Sequence, residues 1–184
     1  MPAVFHPMPW GLLYVEEKGD ALTRIQFLRP EEKSTFTVTA ETALLREACA
    51  QLTAYSEGKL RRFDLPIAPK GTAFQLRVWE ELCRIGWGQT RSYGEVARAA
   101  GSPKGARAVG MACNRNPLLL VIPCHRVLGA DGGLVGFGEG IALKRRLLES
   151  ERVLLPLENR GKALPFQGIG PIVQRFHPVF GGFV

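Results

Sequence analysis

The first forty residues contain three short runs in which apolar and polar positions alternate. The runs cover 11–17 (GLLYVEE), 22–28 (LTRIQFL) and 35–40 (TFTVTA), and turn-forming segments separate them. Alternation with a period of two predicts β-strands. Residues 44–55 instead repeat their apolar positions at the spacing of one helix face. The pattern therefore predicts a small sheet followed by a helix.

The segment 61–71 (RRFDLPIAPKG) contains two prolines and a glycine, which indicate a linker between domains. After it, the apolar positions repeat with the period of a helix. Thr72 with Gln75, and Ser92 with Glu95, have the spacing of capping boxes and predict two helix starts. The first of these helices has one apolar face, which is expected to pack against a core. The face consists of Phe74, Val78, Trp79, Leu82 and Ile85. The second half of the chain is therefore expected to be mainly helical.

Gly101, Ser102 and Pro103 predict a tight turn, with the proline at the first position of a third helix over 104–114. Two short helices joined by such a turn are typical of a helix-turn-helix. The third helix consists mostly of small residues, and Arg107 is the one long side chain near its middle. A slim helix can approach another backbone closely. A packed helix with a solvated arginine gives the same pattern, so this stretch leaves both interpretations open.

The apolar run 118–122 (LLLVI) has the length and β-branching of a buried strand, which would end just before Cys124. The segment 126–140 (RVLGADGGLVGFGEG) predicts a hairpin wing with an Asp-Gly turn and a glycine-rich loop. A last helix is expected over 141–151. The remaining residues, 152–184, have no clear period and are expected to be irregular.

Composition narrows the class of protein. The 184 residues are 46% hydrophobic, and the N-terminus lacks the features of a signal peptide. No apolar run approaches the roughly 20 residues of a membrane span. We therefore expect a soluble intracellular protein without membrane contact. The four cysteines form no CxxC pair and, with three scattered histidines, no metal pattern, so neither a disulfide framework nor a metal site is expected.

The net charge of +7 is unevenly distributed. Residues 1–70 hold nine basic and nine acidic side chains, 71–151 hold eleven and seven, and 152–184 hold four and one. A basic surplus around the predicted helix-turn-helix favours an anionic partner, nucleic acid before membrane. Basic charge kept for solubility explains the surplus equally well.

Cys124 differs from the other three cysteines, which fall on apolar helix stripes, because proline precedes it and His125 and Arg126 follow it. Positive neighbours lower the pKa of a thiol and increase its thiolate fraction. Glu151 lies within the apolar arc of the last helix, where a buried carboxylate needs a partner. We predict that Glu151 holds His125 and that His125 reaches Cys124 through a water molecule, because adjacent side chains of an extended chain point to opposite faces. A frayed helix end with a solvated Glu151 is the alternative.

Five segments between residues 71 and 151 resemble the O6-alkylguanine-DNA alkyltransferases, which are the methylated-DNA–protein-cysteine methyltransferases of direct DNA repair. In chain order they are GTAFQLRVWEEL, TRSYGEVA, ARAVGMA, NPLLLVIPCHRV and KRRLLESE. PWGLLYVEE and LTRIQFL resemble the family's variable N-terminal domain more weakly. The resemblance implies an α+β fold: a small β-sheet and helix domain over 1–66, ribonuclease H-like in the family, then a winged helix-turn-helix alkyl-acceptor domain over 67–155. A C-terminal tail would cover 156–184.

The resemblance also implies residue roles. Cys124 would accept the alkyl group, with His125 and Glu151 as its activators. Tyr93 would rotate the phosphate or donate a proton to the leaving guanine, and Asn116 would brace the site. Arg107 would take the place of a base flipped from the stack. The implied DNA-binding residues are Ser92, Tyr93, Ala106, Arg107, Ala108, Met111, Arg115 and Arg126.

The implied reaction is the transfer of the alkyl group of O6-methylguanine in double-stranded DNA to Cys124, once per chain. The resemblance implies a monomer that needs neither cofactor nor metal and acts in the cytoplasm, or in the nucleus of a eukaryote. Two residues depart from the family pattern. Gly86 replaces a usual proline, which loosens the turn after the Trp79 helix. Glu139 lies in GFGEG, a loop usually close to GYGGG, where a carboxylate either weakens DNA binding, changes which adducts fit, or is simply solvated at the rim.

Three other functions compete with this interpretation. An alkyltransferase-like module would bind lesions without transfer, but such relatives replace the acceptor cysteine, which is present here as Cys124. A helix-turn-helix regulator would explain the basic charge and Arg107, but not the PCHR motif or Glu151. A cysteine hydrolase would need an oxyanion hole and a substrate cleft, for which the pattern gives no signal.

Overall fold

A computed structural model of the chain describes residues 1–39 and 41–153. The tail predicted over 156–184 lies outside these residues. Within the described ranges, no helix is long and apolar enough to cross a membrane. The architecture is a mixed α and β fold in which a small sheet precedes a set of helices.

Strands β1 (Ala3–Met8), β2 (Gly11–Lys18) and β3 (Ala21–Leu28) form an antiparallel sheet in chain order. The strands predicted at 11–17 and 22–28 are thereby confirmed. The pattern does not predict β1, because a histidine and a proline interrupt its alternation, and the ladder with β2 is what makes it a strand.

The third predicted strand, 35–40, is wrong. A 3-10 helix covers Pro30–Thr35, opened by the proline and by the Glu32 side chain, which accepts a hydrogen bond from the Arg29 amide. The residues that follow, as far as Thr39, join no strand. Thr39 exchanges two hydrogen bonds of 3.0 Å with Ala3 of β1, which is too short a contact to form a ladder.

Helix α1 (Ala43–Ser56) confirms the helix predicted over 44–55. The Thr42 hydroxyl caps it by accepting a hydrogen bond from the Leu45 amide at 3.1 Å. Its buried face consists of Leu45, Ala48, Leu52 and Tyr55. This face packs against β1 and β2.

The segment 61–71 is not a free linker, because its apolar side chains are buried. Phe63, Leu65 and Ile67 are at most 5% exposed. The backbone of Leu22 in β3 exchanges hydrogen bonds of 2.9 Å with Pro66 and Ala68. A continuous hydrophobic core therefore extends across residue 66, and the division into domains at that point stays a prediction.

Helices α2 (Ala73–Cys83) and α3 (Tyr93–Ala99) begin at the two predicted capping boxes, and both boxes are complete. The apolar face of α2 is buried as predicted, except that Phe74 is only half-buried. Helix α4 (Ala106–Asn114) begins later than predicted. Residues 102–105 form a turn, closed by a hydrogen bond from the Gly105 amide to the Ser102 carbonyl, so Pro103 does not start the helix.

The run 118–122 is buried, but it is a turn and not a strand. Leu120 has a φ of 71°, and the Ile122 amide donates to the Leu118 carbonyl at 2.9 Å. The predicted wing is also reduced. In the described part of the chain, the two-residue strand β5 (Val127–Leu128) pairs only with β4 (Arg91–Ser92), and no second wing strand follows. Helix α5 (Ile141–Ser150) confirms the last predicted helix.

Candidate active site

Cys124, His125 and Arg126 form a single 3-10 turn, Cys124–Arg126, after the buried loop. All three are at most 6% exposed. A 3-10 helix has three residues per turn, so consecutive side chains point about 120° apart. The expectation that the cysteine and the histidine diverge therefore holds, although a turn and not an extended strand separates them.

The Glu151 carboxylate follows the last turn of α5 and is 1% exposed. Its Oε1 accepts hydrogen bonds from His125 Nε2 at 2.8 Å, Arg126 Nη2 at 2.9 Å and the Tyr55 hydroxyl at 2.5 Å. Its Oε2 accepts one from Arg126 Nε at 2.9 Å. The predicted contact between Glu151 and His125 is therefore present, and the frayed-end alternative is wrong.

The buried charges determine the protonation of Glu151 and His125. Burial alone would raise the pKa of Glu151, but His125 and Arg126 outweigh it and hold that pKa far below its ordinary value. Burial lowers the pKa of His125, against the attraction of Glu151. A neutral His125 that donates from Nε2 carries its lone pair on Nδ1. The imidazole is thus prepared to accept a proton.

Burial raises the pKa of the Cys124 thiol, which favours its neutral form. The hydrogen bond from Asn116 and the charge of Lys144 oppose that rise without reversing it. The expectation that His125 and Arg126 lower the thiol pKa is wrong. The Arg126 guanidinium binds Glu151 and the Ile85 carbonyl, so its charge is engaged away from the sulfur. The thiol needs a base to react.

Asn116 braces the loop below Cys124. Its Nδ2 donates to the Ile122 carbonyl at 2.7 Å and to Cys124 Sγ at 3.2 Å, and its Oδ1 accepts from the Leu118 amide at 3.0 Å. Among the described residues, this amide is the only side chain that hydrogen-bonds to the sulfur. The bracing predicted for Asn116 is present in the geometry.

A cavity of about 240 Å³ opens beside Cys124. One wall consists of Asn116, Phe137 and Glu139, and another of Phe27, Arg29 and Glu32 from the N-terminal half. Burial raises the pKa of Glu139. The sequence pattern assigns Cys113 to the inward stripe of α4, but it lines this same cavity and is half-buried.

Lys144 also belongs to this site, although it is not among the residues predicted from the sequence. Its side chain is fully buried, and Nζ donates to the carbonyls of Val127, Val135 and Gly136 at 2.5, 2.9 and 3.1 Å. Burial lowers its pKa to about 8. Lys144 lies four residues before Leu148 and seven before Glu151, so it shares a helix face with these two buried residues. That spacing is the sequence signal that could have predicted its burial. Ile141, an apolar residue at the start of the same helix, is instead 38% exposed.

The Tyr93 hydroxyl donates to the carbonyls of Val135 and Gly136 at 3.0 and 3.3 Å. The same two carbonyls bind Lys144, so two side chains hold the segment that leads into the cavity wall at Phe137. Burial raises the pKa of Tyr93, so its phenol is protonated at rest.

The residues predicted to contact DNA differ in their exposure. Arg107, Met111 and Arg115 are exposed at four-residue intervals along one face of α4 and its C-cap. Ala106 and Ala108 are half-buried beside them. The Ser92 hydroxyl is occupied in the capping box with Glu95. The prediction for Arg126 is wrong, because its guanidinium is buried in the ion pair with Glu151.

Comparison with known proteins gives consistent matches. The family described as "6-O-methylguanine DNA methyltransferase, DNA binding domain" matches residues 73–153. A methylated-DNA–protein-cysteine methyltransferase of Methanosarcina barkeri is 46% identical over 142 residues, which are 76% of this chain and 89% of that protein. The protein of the same name from Mycobacterium tuberculosis is 44% identical over 151 residues, 82% of this chain and 92% of the other.

Solved structures agree with the sequence matches. The fold is similar to that of Mycobacterium tuberculosis OGT in complex with DNA, with a TM-score of 0.75 and 42% identity over 83% of this chain and 93% of that one. An O6-methylguanine DNA methyltransferase of Methanococcus jannaschii has a TM-score of 0.59 and 26% identity, covering 91% of this chain and all of the other.

Proposed function

Since this chain belongs to the methylated-DNA–protein-cysteine methyltransferase family, we propose that it repairs O6-alkylguanine in duplex DNA by moving the alkyl group to Cys124. The activity is that of the family: DNA binding and methyl transfer to a protein cysteine. The observation that carries the proposal is the buried Cys124 thiol beside a cavity, held by Asn116 on one side and followed by the buried His125–Glu151 pair.

The transfer begins with the thiol proton. A water molecule passes this proton from Cys124 to His125 Nδ1, and Glu151 stabilises the imidazolium. The thiolate then attacks the alkyl carbon, so that the S–C bond forms as the C–O6 bond breaks. The electron pair of the broken bond stays on guanine. Guanine takes up one proton, from Tyr93 or from solvent. His125 later releases the proton that it took from the thiol, so that one proton is lost and one is gained overall.

Access to the sulfur requires that the target base leave the stack, because a stacked base cannot reach the side chain of a residue that is only 3% exposed. We propose that α3 and α4 act as a helix-turn-helix on the minor groove of DNA, with Arg107 in the place of the flipped base. The small residues of α4 let its backbone approach a narrow groove.

The remaining parts of the proposal concern organisation. The sheet with α1 is a ribonuclease H-like domain over 1–66, and the alkyl-acceptor domain covers 67–155. The protein acts as a monomer, in the cytoplasm or in a eukaryotic nucleus. The thioether formed on Cys124 has no good leaving group, so each chain reacts once.

An O6-benzylguanine probe tests the proposal. Covalent labelling of the wild-type chain, and none of Cys124→Ser, is the expected result. A lesion-binding module without transfer is the second candidate, and it predicts binding to O6-methylguanine duplexes with no label. A label that persists in Cys124→Ser would assign the acceptor to another cysteine, such as Cys113 in the same cavity.

A further inference from the structure

Tyr55 enters the site from the other half of the molecule. It lies in α1, almost one hundred positions before Glu151, and is 1% exposed. Its hydroxyl donates to Glu151 Oε1 at 2.5 Å and lies 3.4 Å from His125 Nε2. The ring packs against Trp10, Phe63 and Trp87, with centroids 6.1, 5.1 and 5.2 Å away, so its position is fixed.

The hydroxyl shares an acceptor with the imidazole. Glu151 Oε1 accepts from Tyr55, His125 and Arg126 together, and a carboxylate oxygen has two lone pairs for these three donors. Each donor stabilises the negative charge and weakens the pull of the carboxylate on the others. The strength with which Glu151 attracts a proton onto His125 therefore depends on Tyr55.

We propose that Tyr55 is a positioning residue for alkyl transfer. Its hydroxyl fixes Glu151 Oε1 and moderates the carboxylate, so that His125 stays neutral at rest and is ready to take the proton of Cys124. The N-terminal half would then contribute directly to a reaction whose other groups all lie after residue 90. This inference rests on the proposed function, because it assigns His125 the role of base.

Tyr55→Phe removes the hydroxyl and keeps the ring in its packing. With one donor fewer, Glu151 binds an imidazolium more strongly. The pKa of His125 should then rise by about one unit, as expected for the loss of a hydrogen bond to a charged acceptor. In a plot of the benzyl-transfer rate against pH, the acid limb should move to higher pH by the same amount. The plateau rate should fall about two- to tenfold, because Oε1 is less firmly held.

Tyr14→Phe is the matched control, since that tyrosine is also buried and donates to a carboxylate, Glu16, at 3.0 Å. Two readouts are needed: the pH profile of transfer, and the titration of His125 by NMR on chains labelled with ¹⁵N-histidine. A shift of both in Tyr55→Phe but not in Tyr14→Phe supports the proposal. An unchanged profile and titration in Tyr55→Phe, with transfer intact, overturns it and leaves the proposed function standing. A wild-type chain that transfers nothing would end the proposed function and, with it, the role assigned to Tyr55.

Discussion

The buried group around Glu151 and the exposed face of α4 are built in opposite ways. Tyr55, Cys124, His125, Arg126 and Glu151 are all at most 6% exposed, and four hydrogen bonds converge on one carboxylate. The face of α4 instead presents exposed long side chains on a helix of small residues. The chemical groups are thus positioned before any substrate binds, whereas the exposed side chains of this face, which are proposed to meet DNA, can adjust to it.

Glu151→Gln should have the largest effect, because it removes the charge on which the buried group depends. The imidazolium loses its partner, and we expect the transfer rate to fall about 10²- to 10⁴-fold, the usual contribution of general base catalysis. Arg126 would also remain charged and buried, at a cost of about 3 kcal/mol in the free energy of unfolding. Single-turnover kinetics and urea unfolding measure the two effects.

Glu149→Gln is the control for this comparison, since Glu149 is an exposed neighbour on the same helix. It should change neither quantity. If Glu151→Gln transferred the benzyl group at the wild-type rate, the proposed relay would be wrong even though the hydrogen bonds are present.

Acid should weaken the fold through the same carboxylate. His125 and Arg126 hold the pKa of Glu151 below its unfolded value, so the folded state favours the ionised form. The stability that this contributes is complete above the unfolded pKa of about 4.5 and is lost as the pH falls toward the folded pKa. The free energy of unfolding of the wild type should therefore fall below about pH 4.5 more steeply than that of Glu151→Gln. If the unfolding free energies of the two chains fell in parallel with pH, Glu151 would not have the lowered pKa.

Arg107→Ala tests the exposed region and leaves the buried one unchanged. It should slow repair of O6-methylguanine within a duplex about 10- to 100-fold, because the vacated stack is no longer filled. The reaction with free O6-benzylguanine, which needs no flipping, should keep its rate. Arg62→Ala, an exposed arginine of the N-terminal half, controls for charge. Equal losses on both substrates would exclude a flipping role for Arg107.

Glu139→Gln should have the smallest effect. Glu139 lies at the wall of the cavity and repels the approaching phosphates and any anionic adduct. Without its charge, duplex affinity at low salt should rise about two- to threefold, and the gain should vanish at high salt. Fluorescence anisotropy at two salt concentrations measures this, with Glu149→Gln as the reference. A gain that is independent of salt would point to shape and not charge.

Local signals predicted the helices well. The capping boxes at Thr72 and Ser92 name the first residues of α2 and α3, because a cap depends only on residues within one turn. The contact between Glu151 and His125 could also be predicted from the sequence. A carboxylate inside an apolar arc must find a donor, and the only histidine of the segment 71–151, His125, lies beside Cys124.

Long-range partners explain what the sequence could not show. Residues 118–122 have the composition of a strand, yet only Leu118 pairs with Ile25 of β3, and Leu120 turns the chain away. Tyr55 reads as an ordinary apolar position of α1, because nothing in the pattern indicates that its hydroxyl meets Glu151. Lys144 looks like a solvated lysine until the loop carbonyls that bind it are in place.

The central claim is that Cys124 accepts one alkyl group and is not regenerated. The most direct measurement is intact mass spectrometry with peptide mapping, after incubation with an excess of duplex that contains O6-methylguanine. The account predicts the gain of one methyl group per chain, located on Cys124, and no gain in Cys124→Ala, which still binds the duplex. More than one lesion repaired per chain, or a methyl group on Cys49, Cys83 or Cys113, would contradict it.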